Sequence, residues 1–108
     1  MRCRRGGVLG DRDYAWVGEL CEEVSLRSNK EACYRGAGNV IAGMNDYNLD
    51  EIASACTFMP THTGEVLCIE GASWIVSNQP EFRDVWTVLC EPYEGADKEQ
   101  CLRAQELI

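Results

Sequence analysis

At 108 residues the chain fits one domain, with a core small enough that covalent staples would add noticeably to its stability. Its 45% hydrophobic and 26% charged residues exclude general disorder, and no apolar run approaches the ~18 residues of a helical membrane span. The net charge of −8 divides into +3 on residues 1–12 and −11 on residues 13–108, so the body of the chain repels phosphate backbones and nucleic acid is not an expected partner.

Residues 1–11 read as a flexible basic N-terminal segment carrying Arg2, Arg4 and Arg5. The stretch from Gly6 to Asp11 is too short and too polar for the apolar region of a signal peptide. Residues 12–108 form the expected folded domain. Its first unit, about 12–46, has helical arms over 12–22 and 29–44, the second opened by Ser28 and Glu31 at capping-box spacing. The second arm carries Cys33, Gly36, Ala37, Val40, Ile41 and Met44 at the i, i+3, i+4, i+7, i+8, i+11 spacing of one helix face.

The second unit, about 47–78, has arms over 49–57 and 64–78, with Asn48 and Glu51 spaced as a capping box and Thr63 placed to cap the later helix. Cys68, Gly71, Ala72, Ile75 and Val76 repeat the apolar spacing. The third unit, about 79–108, has arms over 80–90 and 98–108. There Pro80 suits a first helical position, and Asp97 and Gln100 are spaced as a cap. Pro60 and Pro92 fall between arms, where proline disrupts no helix.

The units are copies of one pattern. Cys21 and Cys33 enclose 11 residues, Cys56 and Cys68 another 11, and Cys90 and Cys101 enclose 10. Four positions before each first cysteine stand Val17, Ile52 and Trp86. Three after each second cysteine stand the small residues Gly36, Gly71 and Ala104. A mid-helix glycine costs roughly 1 kcal/mol relative to alanine, so small residues in one register predict a close helix crossing at Gly36, Gly71 and Ala104. The expected fold is all-α: three tandem helical hairpins of about 34 residues, solenoid-like, with one disulfide per hairpin.

In period and architecture residues 13–108 resemble the tetratricopeptide-type helical repeats, without that consensus's Trp, Leu-Gly, Tyr and Pro positions. Met59-Pro60 and Cys33-Tyr34-Arg35-Gly36-Ala37-Gly38 are similar to segments of the cysteine-paired helical repeats of uncharacterised bacterial proteins. Neither resemblance implies an activity.

Three roles are open to the cysteines. The repeat register selects the disulfides Cys21–Cys33, Cys56–Cys68 and Cys90–Cys101 from the 15 connectivities of six cysteines. Reduced cysteines packed as small hydrophobes would be a second role, and metal or redox chemistry a third. The third lacks the close Cys-x(2–4)-Cys or Cys-x-x-Cys spacings such sites use. Oxidised cysteines imply an extracytoplasmic chain, periplasmic or secreted, whose signal lies outside this sequence; reduced ones imply the cytoplasm. Cys3 is left over.

Little points to catalysis. His62 is the only histidine and stands in a proposed loop, and no glycine-rich phosphate loop or calcium-binding loop pattern occurs. No catalytic residue, metal or cofactor is expected. The aromatic residues Tyr14, Trp16, Trp74 and Tyr93 are the candidate binding residues, because tryptophan and tyrosine anchor interfaces. The expected function is a non-enzymatic protein- or peptide-binding scaffold whose acidic surface favours a basic partner. The alternatives are self-association into a homodimer, or an apolar small ligand held between hairpins.

Overall fold

A computed structural model describes residues 14–103. They form helices α1 (Ala15–Glu22), α2 (Arg27–Met44), α3 (Leu49–Cys56), α4 (His62–Ser77) and α5 (Gly95–Leu102), with two 3-10 turns at Pro80–Phe82 and Trp86–Cys90. No strand occurs among the described residues, so the fold is all-α. The proposed basic segment and Ala104 lie outside them.

Local chemistry sets most of the boundaries. The Asn48 side chain accepts a hydrogen bond from the Glu51 backbone N–H at 3.0 Å, which caps α3 as its spacing predicts. The cap of α4 is Thr61 and not Thr63: Thr61 Oγ1 accepts from the Gly64 N–H at 2.9 Å, and the helix starts at His62. Ser28 and Asp97 cap nothing, because α2 begins at Arg27 and α5 at Gly95, which places both residues inside their first turns. A carboxylate in the first turn still favours α5 through the helix dipole.

The arm expected at 80–90 is not an α-helix. The run Val85-Trp86-Thr87-Val88 is β-branched and aromatic, and such side chains lose rotamer freedom against a preceding helical turn. The tighter 3-10 turn puts Trp86 and Leu89 on one face, and both are buried with Cys90.

Helix α4 is the centre of the molecule. It touches α2, α3, α5 and both 3-10 turns, and is buried around nearly its whole circumference. Its largest interface is with α2, where the backbones approach closely. A Cβ on Gly38 would stand 2.7 Å from the Ala72 nitrogen and closer still to the Cys68 carbonyl oxygen. One on Gly71 would stand 2.7 Å from Arg35 Cα and against its carbonyl oxygen. Glycine at both positions is therefore a steric requirement. The crossing predicted at Gly36 is displaced by two residues to Gly38: an added Cβ on Gly36 meets nothing within 4 Å among the described residues.

The buried face of α2 shifts correspondingly. Tyr34, Ala37, Gly38, Ile41 and Ala42 are buried, whereas Val40 and Met44, expected in the core, are 57% and 54% exposed. Gly38, five residues after Cys33, lies against Cys68; the Ser73 hydroxyl, five residues after Cys68, lies 3.7 Å from Cys101 Sγ. The three cysteine pairs of the repeat are at disulfide distance, with Cα–Cα separations of 5.5, 5.7 and 5.6 Å. No helix among the described residues is long and apolar enough to cross a membrane.

Candidate binding surface

The exposed apolar residues of α2 converge with α1. Gly36, Val40 and Met44 follow each other at four-residue spacing, one turn apart on the same side of the helix. Together with Ala37, Ile41, Tyr14, Trp16 and Val17 they line a groove of about 580 Å³. Trp16 is 62% exposed at the mouth of the groove, while Tyr14 is buried and closes one end. The Tyr14 hydroxyl accepts a long hydrogen bond, 3.5 Å, from Asn45 Nδ2. No charged side chain among the described residues lines the groove.

Two polar clusters tie the helices together beside it. The Tyr34 hydroxyl donates to Glu22 Oε2 at 2.5 Å and reaches the Gly18 carbonyl at 3.3 Å, which ties α2 to α1. Burial, and then the Glu22 carboxylate, push the Tyr34 phenol up to about 12. The Tyr34 hydrogen bond holds the Glu22 carboxyl below its usual range, aided by Lys30. In the interior, Glu70 of α4 is 2% exposed and its Oε1 accepts from Arg35 Nε at 3.1 Å and Gln100 Nε2 at 2.6 Å. One buried carboxylate thus links α2, α4 and α5.

The four candidate aromatic residues do not form one site. Tyr14 and Trp16 line the α1–α2 groove. Trp74 packs half-buried against the core, with its indole nitrogen buried and without a hydrogen-bond partner among the described residues. Tyr93 is also packed against the core; its hydroxyl donates to Glu65 Oε2 at 2.7 Å, and burial followed by Glu65 raises its pKa. His62 is not in a loop but opens α4. Its Nε2 lies 2.6 Å from Asp97 Oδ2 of α5, and that hydrogen bond and charge raise its pKa. The pair is exposed, and the adjoining recess of about 150 Å³ is lined by Asp97 without His62.

The groove residues of α2 were legible as apolar but not as exposed. The helix carries more apolar positions than one face can hold: 34, 37, 38, 41 and 42 pack inward, which leaves 36, 40 and 44 over. That surplus was the available signal. No family model, curated protein or solved structure matches this chain.

Proposed function

We propose that the chain is a non-enzymatic docking module, a scaffold of solenoid-like, tetratricopeptide-type hairpins that receives a protein or peptide segment in the α1–α2 groove. The observation that carries this reading is the run of large apolar side chains, Trp16, Val40 and Met44, each more than half exposed around one groove whose described lining residues carry no charge. Contiguous exposed apolar surface on a small domain marks a place where something binds, and tryptophan and methionine are over-represented at such places. The acidic body supplies the second element of recognition, steering a segment with basic flanks towards the groove and weakening that encounter as salt rises. Three cysteine pairs at disulfide distance are compatible with an oxidising, extracytoplasmic setting, and we assign the module to the periplasm or the exterior.

The test is selection from a displayed peptide library on the oxidised chain. Enriched peptides should carry apolar residues at helical spacing beside Lys or Arg, and should lose most of their affinity for Val40→Asp. Peptides that bind the parent and that variant equally would remove the groove from the reading. A second reading, an apolar small ligand, draws on the groove's volume of about 580 Å³, which falls within the usual range for ligand pockets. It places the ligand within the first hairpin instead of between hairpins.

A further inference from the structure

The three cysteine pairs are not equally sheltered. Cys21, Cys56, Cys68, Cys90 and Cys101 are all 0% exposed, whereas Cys33, in the second turn of α2, packs at the edge of the core and is partly exposed. The elements that the pairs join differ in the same sense. Cys56 and Cys68 tie α3 to α4, the helix at the centre of the molecule. Cys90 stands with buried Trp86 and Leu89, and Ser73 of α4 lies against its partner Cys101. Helix α1 buries Gly18 and Cys21, while its Trp16 and Leu20 are both more than half exposed. Tyr34 and Lys30 of α2 hold its last turn through Glu22. An element with few buried apolar side chains opens at lower cost than the core, and a thiol attacks a disulfide only where it can reach a sulfur. The Cys21–Cys33 pair meets both conditions, and the other two pairs meet neither.

We propose that the Cys21–Cys33 bond is a redox latch on α1: a dithiol reductant attacks it at Cys33 and, with the other two pairs intact, frees α1 from α2. One thiolate of the reductant bonds to Cys33 Sγ. The Cys33–Cys21 bond breaks, and its electron pair leaves on Cys21 Sγ, which takes up a proton. The second thiolate of the reductant then attacks the mixed disulfide at the reductant's own sulfur, closing the reductant's disulfide and expelling Cys33 as a thiolate, which is protonated in turn. The pair gains two electrons and two protons, and the dithiol loses them. Tyr14, Trp16 and Val17 form the α1 side of the groove, so release of α1 removes that wall. This consequence for docking rests on the reading above; the latch itself does not.

Limited reduction of the oxidised full chain by dithiothreitol, in a Cys3→Ser background, tests this, with released thiols alkylated and mapped by mass spectrometry. We expect Cys21 and Cys33 to be labelled at least about tenfold faster than either other pair, since exchange rates follow access. With 2-mercaptoethanol in place of the dithiol, the first mixed disulfide should sit on Cys33 and leave Cys21 as the alkylated thiol. In the chain reduced at this pair alone, hydrogen exchange of the α1 amides should rise at least about tenfold, while the α4 amides keep their protection. Earlier labelling of another pair, or labelling of all three together, overturns the inference. So does an adduct on Cys21, a singly reduced chain whose α1 amides exchange as in the oxidised one, or loss of α4 protection along with α1. A latch that opens in a chain that captures no library peptide would stand while the docking reading falls.

Discussion

Three glycines of one helical pair separate what a sequence register can say from what it cannot. Gly38→Ala and Gly71→Ala each drive a methyl group into backbone, and we expect each to lower unfolding stability by about 1–3 kcal/mol in urea titrations. Gly36→Ala meets open space, so at concentrations below any association it should instead raise stability, by up to about 1 kcal/mol. If all three variants melt alike, the crossing is not where Gly38 and Gly71 place it. The register identified glycine as special in α2 but chose Gly36, since spacing from a cysteine marks a rotational position and not the neighbour found there. Tyr34 was missed as core for a related reason. Its hydroxyl reads as polar in a sequence, and only the fold brings Glu22 and the Gly18 carbonyl to it.

Charge at the residue scale gives a pH dependence with a definite sign. Asp97 raises the pKa of His62 above the ordinary 6.5, so folding binds the imidazole proton more tightly than the unfolded chain does. The contribution is complete below the unfolded value and disappears as pH rises through the folded one. Melting curves of the parent and His62→Gln should therefore differ most near the acid side of neutrality and converge at alkaline pH. A difference that grows with pH would mean that the pair is not formed.

At the scale of elements, local rules predicted the first four helices well and residues 80–103 poorly. The Asn48 cap, the arms expected over 12–22 and 49–57 and found as Ala15–Glu22 and Leu49–Cys56, and the buried Trp86 follow from short-range chemistry and a repeated spacing. Residues 80–90 fail because helix propensity there is low and the repeat cannot restore it; what persists is the burial of Trp86, Leu89 and Cys90 in 3-10 form. Asn48→Ala should cost about 1 kcal/mol by removing the one side-chain acceptor at the start of α3. Thr63→Ala should be close to neutral, and Thr61→Ala should not, since the cap of α4 is Thr61. Parallel thermal melts of the three variants check that ordering. Equal effects for Thr61 and Thr63 would contradict the cap geometry.

At the scale of the whole molecule, the balance between core and staples decides behaviour. A chain of this length has little stability to spare, and each cysteine pair at disulfide distance closes a short loop, which in the chain-entropy model stabilises by roughly 3 kcal/mol. Complete reduction should therefore unfold the chain or bring it near its midpoint at ambient temperature. Circular dichroism with and without a phosphine reductant measures this. Retention of full helicity and an unchanged melting point after reduction would assign the stability to the core alone. Buried Glu70 adds a condition of its own: it serves α2, α4 and α5 together, so the three helices are secured as a set.

The cysteine pairs also determine how the molecule comes apart when it is cut. Each of the three pairs spans one short stretch, 21–33, 56–68 or 90–101, and none of them bridges residues 45–48. A protease that nicks between Cys56 and Cys68, at the turn following α3, leaves two fragments still tied by sulfur, and a non-reducing gel records no change in mass. A nick at residues 45–48, between α2 and α3, cuts a stretch that none of these pairs bridges, and the fragments separate on the same gel once denatured.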